Sequence, residues 1–184
     1  MFYYISDLHF GHKNCLEFDH RPFQTIDEMD ACLIDGWNRI VTDLDDVWIV
    51  GDICYRSEKS AAWYLQQLKG HKHLILGNHD WTIKDDPDVI EALESIDSLK
   101  RIEDDGKIII LCHYPLAVWD QKHRGSYHVY GHVHSKIDDA TKFMLMQEHA
   151  FNAGCMVNGY VPCTLSQLEK NTVRRLGAMG IKAL

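Results

Sequence analysis

Five short stretches hold the side chains in this sequence that could do chemistry: Asp7-Leu8-His9, Gly51-Asp52, Gly77-Asn78-His79-Asp80, His113, and Gly131-His132-Val133-His134. Between them they offer imidazoles, carboxylates and one amide oxygen, and no thiolate. That donor set suits borderline divalent ions such as Mn, Fe, Zn or Ni, whereas calcium would need more oxygen ligands. Asp7, His9, Asp52, Asn78, His113, His132 and His134 make seven candidate ligands, more than the four of a closed structural zinc site. Seven suffice for two ions if one carboxylate bridges. Two ions about 3.5–4 Å apart clamp the attacking and leaving oxygens of an in-line displacement and make hydroxide available near neutral pH. Residues two apart on extended backbone point to one side, so Asp7 with His9, and His132 with His134, are each expected to grip one ion.

These residues are useful only if the chain gathers them. Each stretch follows an apolar run that reads as a buried strand: Phe2 to Ile5, Val47 to Val50, His73 to Leu76, Lys107 to Leu111 and Tyr127 to Tyr130. Ligands of open α/β sheets sit beyond the carboxyl ends of the strands, so five clusters far apart in sequence are expected to meet in one crevice. Between the strands, Thr25-Ile26-Asp27-Glu28 reads as a capping box opening a helix, and Ile26, Met29, Leu33, Trp37, Ile40 and Val41 give it one apolar face. Ser57 or Ser60 can cap a second helix that Gly70 ends, and Pro87 opens a third that runs to about Ser95. Leu99 to Glu103 and Lys107 to Leu111 flank Asp105-Gly106 as a hairpin. Phe10 to Pro22 reads as loop. Asp138 to Gln147 reads equally as helix or loop, Phe151 to Ala153 and Val161 to Thr164 as short strands, and Ser166 to Leu176 as a closing helix. Strands alternating with helices give an α/β fold, and the hairpin makes its sheet mixed.

At 184 residues the chain is expected to be one domain, and 46% hydrophobic residues are enough for a sizeable core. A formal net charge of −8 disfavours extended nucleic acid and anionic membranes, which are bound through clustered Lys and Arg. No apolar run approaches the roughly 20 residues needed to span a bilayer, and Met1 leads into Phe2-Tyr3-Tyr4 without a basic segment, so neither a membrane span nor a signal peptide is expected. None of the six cysteines pairs at C-x-x-C spacing. Cys54, Cys112 and Cys155 sit in apolar surroundings and are expected to be reduced core residues, as in a cytoplasmic protein.

The ordered blocks DLH at 7–9, GD at 51–52, GNHD at 77–80, His113 and GHVH at 131–134 resemble the calcineurin-like metallophosphoesterase superfamily. The wider string SDLHFGHKN, with RPF at 21–23 and WN at 37–38, is similar to a small bacterial and phage-type subgroup of it. The resemblance implies a four-layer α-β-β-α sandwich with mixed sheets, spanning residues 1–184 as a single domain without a cap domain. It implies that Asp7, His9 and His134 hold one ion, that Asp52 bridges, and that Asn78, His113 and His132 hold the second. It leaves His79 off the metals and facing the phosphate as the catalytic imidazole that assists the leaving group. Two features depart from the wider pattern. Gly51-Asp52 is followed by ICYR instead of the V-D-R-G run of protein Ser/Thr phosphatases, which argues against that branch. Phe151-Asn152-Ala153-Gly154 stands where many relatives have N-P-G; Asn152 is expected to close a turn near the site.

Other residues carry weaker expectations. Arg21 is a candidate substrate-binding residue through bidentate phosphate contact. Arg56, four residues beyond Asp52, is a lesser one. His12 reads as a surface residue or a support for His9, Asp80 as an orienter of His79 or a turn cap, and Trp119 with His123 and Arg124 as a stacking lip. His20, His71, His73, His128 and His149 read as surface or solvated histidines. The expected activity is therefore that of a metal-dependent phosphoesterase, with two divalent ions, Mn first, and a hydroxide that attacks phosphorus. A small phosphodiester or nucleotide-like ester is the expected substrate. The rivals are a phosphomonoesterase acting on nucleotide or sugar phosphates, and a scaffold that has kept the fold without catalysis.

Overall fold

A computed structural model describes residues 1–180 of the chain. Eight strands form two sheets of four. The first contains β1 (Phe2–Ile5), β2 (Asp46–Ile49), β3 (His71–Ile75) and β4 (Ser95–Asp97), all parallel and in sequence order. The second contains β5 (Lys100–Asp104), β6 (Lys107–Leu111), β7 (Tyr127–Tyr130) and β8 (Ala150–Asn152); β5 and β6 are the expected antiparallel hairpin, and the later pairs are parallel. Only the second sheet is therefore mixed.

Alternation along the strands decides the layering. Tyr3, Ile5, Val47, Ile49 and Leu74 face outward into a core shared with helices α2 (Ile26–Ile40), α3 (Ala61–Leu65) and α4 (Pro87–Glu91). Their neighbours Tyr4, Trp48, Val50 and Ile75 face inward and meet Ile109, Leu111, Val129 and Phe151 of the second sheet. The outer face of that sheet, through Ile110, Tyr130 and Ala150, packs on Met144 of helix α5 (Asp139–Leu145). Helix, sheet, sheet, helix is the expected four-layer sandwich. Helix α6 (Leu165–Ala178) puts Leu165 and Leu168 into the core between the sheets.

Local chemistry explains most boundaries. Thr25 caps α2 by accepting the Glu28 N–H, while the Glu28 carboxylate takes the Gln24 N–H in place of the Thr25 N–H that a closed capping box would use. Ser60 caps α3, Asp86 caps α4 ahead of Pro87, and Thr164 with Gln167 forms a full capping box on α6. Three expectations need correction. A short helix α1 (Cys15–Phe18) interrupts the stretch read as loop. The segment after Pro87 stops being helical at Glu91 and returns as strand β4. Val161 to Thr164 pairs only through an isolated bridge between Tyr4 and Cys163.

His128 is not a surface histidine. It is fully buried on β7, donates Nδ1–H to the Ile110 carbonyl, and accepts the Leu116 N–H at Nε2. Burial pushes its pKa down to about 4. The unfolded chain takes up this proton near the ordinary pKa and the folded chain does not, so the contribution is present above the unfolded pKa and is lost as pH falls toward 4. We expect this one group to remove about 3 kcal/mol of stability over that interval. His128→Gln should flatten that part of a urea-unfolding pH series; an unchanged slope would assign it elsewhere.

Candidate functional site

Three loops of the first sheet and two of the second leave their strands on the same side and interlock. The chain after β1 runs beside the chain after β2: Asp7 N–H bonds the Gly51 carbonyl, His9 N–H that of Asp52, and Phe10 N–H that of Ile53. Asp80, fully buried, ties in the loop after β3, its carboxylate accepting the N–H groups of Gly77, Asp52 and Ile53 at 2.8, 2.7 and 3.0 Å. Asp80 thus braces two loops and does not orient the His79 ring. Gly131 N–H on the His113 carbonyl links the loops after β6 and β7, and His132 N–H ties them to the Asp7 carboxylate, 3.1 Å from each oxygen.

All seven candidate ligands and His79 are brought together. Asp7, His9 and His134 form one group of donor atoms and Asp7, Asp52 and His113 another, each within 4.8 Å. His9 Nε2 lies 3.3 Å from His134 Nε2, and His134 Nε2 lies 3.6 Å from Asp7 Oδ1. Asp7 belongs to both groups, and Asp52 reaches from the second to the first: its Oδ2 is 3.7 Å from His9 Nε2 and 3.5 Å from His113 Nε2, while its Oδ1 accepts the His79 N–H at 2.9 Å. Asn78 Oδ1 lies 3.2 Å from His113 Nε2 and 2.9 Å from His132 Nδ1.

The backbone corrects one expectation. Asp7, His9, His132 and His134 are not on extended segments; with Asp52 they all take left-handed φ, between 50° and 70°. The His132 and His134 side chains point apart: His134 faces Asp7 and His9, and His132 faces Asn78. Such residues are uncommon outside glycine, although Asp and His tolerate the region best, and they concentrate where function demands a particular side-chain direction. Glycines leave the room. At Gly51, whose φ is +91°, a Cβ would fall less than 3.0 Å from the His113 ring, and at Gly77 less than 3.0 Å from the Asp52 backbone and carboxylate.

The residues fit a pair of divalent cations. The His113 Nδ1–H donates to the Val50 carbonyl at 2.8 Å, and the His134 Nδ1 lies 3.1 Å from Asp19 Oδ2. The His113 bond fixes a tautomer whose free Nε2 lone pair faces Asp52, as a metal-binding imidazole requires, while, against its burial, Asp19 and Asp7 raise the His134 pKa. Burial, aided by neighbouring His134 and Arg21, lowers the His9 pKa far below its ordinary value, and burial lowers that of His132, so both are neutral. Asp52 is pushed up to about 7 by burial, against the pull of His113; a cation beside it would reverse that penalty.

Arg21 needs correction as a substrate-binding candidate. Its guanidinium is wholly buried behind the site. Nε donates to Asp19 at 3.0 Å, Nη1 to the Leu8 carbonyl at 2.8 Å and Nη2 to the Asp7 carbonyl at 2.7 Å. It clamps the backbone that presents Asp7 and has no edge left for a phosphate. Asp19, which drew no attention in the sequence, is the centre of this support. Burial alone would raise its pKa, but His134 and Arg21 hold its carboxyl below the usual range, and Ser135 Oγ donates to it at 3.0 Å. Only its place two residues before Arg21 hinted at this. Removing one partner of a buried ion pair costs roughly 3–5 kcal/mol, so Arg21→Ala should lower Tm by about 10 °C in calorimetry. A normal Tm with only a raised KM would return Arg21 to substrate contact.

His12 is buried instead of exposed, its ring 5.8 Å from that of His9. Trp119 is also buried, donating Nε1–H to the Ser126 carbonyl, and so forms no stacking lip with His123 and Arg124. Asn152 does close a turn here: it accepts the Gly154 N–H and donates to the His134 carbonyl. All six cysteines are free, and Cys54, Cys112 and Cys155 are buried as expected. No helix among the described residues is long and apolar enough to cross a membrane.

Known proteins are similar to this chain in fold or in sequence. A protein of unknown function from Aquifex aeolicus has the same fold, with a TM-score of 0.71 at 24% identity, covering 92% of this chain and 98% of that one. An uncharacterised protein of Methanocaldococcus jannaschii is 30% identical over 170 residues, 91% of this chain and 89% of that protein. The gene 66 protein of Mycobacterium phage D29 is 30% identical over 172 residues, 80% of this chain and 85% of that protein. Residues 1–95, which include Asp7, His9, Asp52, Asn78 and His79, match the family model described as calcineurin-like phosphoesterase. With that match over half of its length, and relatives aligned nearly end to end, the chain belongs to the calcineurin-like phosphoesterase family.

Proposed function

We propose that the chain hydrolyses a phosphodiester or small nucleotide-like phosphoester with the help of two divalent ions, Mn2+ by preference. Asp7, His9 and His134 would hold one ion, Asn78, His113 and His132 the other, and Asp52 both. Bound there, the ions would supply Lewis acidity toward a phosphoryl oxygen and lower the pKa of a water. The chain contributes the rest. Arg21 and Asp19 hold the Asp7 and His134 donors still. The Asp52 Oδ1 contact with the His79 N–H sets the distance between the bridging carboxylate and the His79 imidazole. That imidazole is half-buried, and burial lowers its pKa; it offers a hydrogen bond or proton to the departing oxygen, help typically worth about 10²–10⁴-fold.

One observation carries the reading: a single carboxylate, Asp52, lies within 3.7 Å of an imidazole from each donor group and also bonds the residue assigned to the leaving group. The six free cysteines favour action in a reducing cytoplasm. The test is a panel of diesters, monoesters and cyclic nucleotides with Mn, Ni, Zn and Fe added separately. Metal-dependent diester cleavage, abolished by a chelator, is the expected result. Higher kcat/KM on monoesters would replace the diester assignment, and no turnover with any ion would end the catalytic one.

A further inference from the structure

Two exposed aromatic rings stand against the site, each brought by a different loop. Phe18 ends α1, whose other end is anchored by buried Cys15. Its ring is 55% exposed, yet lies edge-on to His9 at 6.4 Å and to His134 at 5.6 Å between centroids. Tyr114 is 43% exposed and lies edge-on to His132 at 4.8 Å and to His113 at 5.3 Å. Neither belongs to any of the three apolar cores of the described residues. A single exposed aromatic is ordinary. Here one ring flanks each donor group, so the row of site imidazoles has an aromatic face at both ends.

A third ring, Tyr55, packs 4.0 Å from that of His79 and 5.1 Å from that of His12. Beside His12 the surface opens into a cavity of about 300 Å³ that reaches Arg56 and Tyr64, within the size range of small-molecule sites. A phosphodiester centred on the site has two arms leaving in different directions. Alkyl arms would bury only part of their apolar surface on two half-exposed rings, whereas nucleobases stack flat on Phe and Tyr whichever base they are. The net charge of −8 disfavours a long polyanion. Resting on the phosphodiesterase reading above, we infer that the substrate is a short nucleotide phosphodiester whose two nucleosides stack on Phe18 and Tyr114. Phe18 and Tyr114 are then specificity-determining residues.

The test compares a dinucleotide, thymidylyl-thymidine, with a diester that has no ring, glycerophosphoglycerol, in wild type, Phe18→Ala, Tyr114→Ala and the double variant. Each single substitution should lower the ratio of kcat/KM values, dinucleotide over glycerol diester, by about tenfold, mainly through KM. The Kd of a hydrolysis-resistant dinucleoside phosphorothioate, titrated calorimetrically, should weaken in parallel. Phe18→Trp and Tyr114→Phe, which keep a π-face, should restore both. If the protein cleaves both diesters and the double variant leaves the ratio and the Kd unchanged, the stacking assignment is wrong and the phosphodiesterase reading stands. If wild type cleaves neither with any divalent ion, the phosphodiesterase reading falls and this inference falls with it.

Discussion

Asp52→Asn is expected to leave at most one divalent ion per chain and to lower kcat/KM by roughly 10³-fold, because several kcal/mol of charge stabilisation depend on the pair of ions. The substitution keeps the shape of the side chain. Its amide oxygen can still accept the His79 N–H that Asp52 Oδ1 accepts now. What changes is the other atom. Oδ2, now flanked by Nε2 of His9 and of His113, becomes an NH₂ group that donates to those same lone pairs. The bridging charge disappears and two imidazoles acquire a competing partner. Removing a carboxylate that burial already pushes up to about 7 should not weaken the metal-free fold, so Tm without added metal should hold or rise. Elemental analysis decides the matter: two ions per chain in the variant would take the bridging role from Asp52.

His79→Ala has the second largest expected effect and the opposite metal signature. The bond to Asp52 comes from the His79 backbone, so it survives the loss of the ring, and both ions should be retained. Turnover of an unactivated ester should fall by about 10²–10⁴-fold, the usual range for a lost proton donor. A substrate with an acidic leaving group, such as a nitrophenyl ester, needs little help and should lose far less. That difference between leaving groups separates a role in departure from a merely structural role, for which both substrates would slow alike. Near wild-type rates on the unactivated ester would remove His79 from the reaction.

The places of most strands along the chain and the gathering of the donors at their ends were legible because a strand end is a local signal. An apolar run ending in Gly or a polar cluster marks a strand end, and parallel strands put such ends on one side. The supports were not legible because they are made between distant positions. Asp19 has no local pattern, and its bond to Ser135 joins residues 116 apart. Arg21 looked like a phosphate ligand because its residue type is right; only the fold shows its donors spent on the carbonyls of Asp7 and Leu8. The two-residue spacing of His132 and His134 misled for a related reason. Side-chain direction follows from φ and ψ, and left-handed backbone at both residues defeats an argument built on extended chain. Strand β4 is three half-buried residues on a sheet edge, too short and mixed to have a period.

The left-handed backbone at Asp7, His9, Asp52, His132 and His134 also bears on how the protein can change. An L-residue held there gives up roughly 1–2 kcal/mol that glycine would not. Glycine would relieve that strain but delete a donor, and at Asp7 and Asp52 it would also leave the His132 and His79 N–H groups without their acceptors. Selection for heat resistance alone should therefore favour glycine only where little contact is lost, as at exposed His132, and a screen for thermostable forms needs an activity filter to keep that donor.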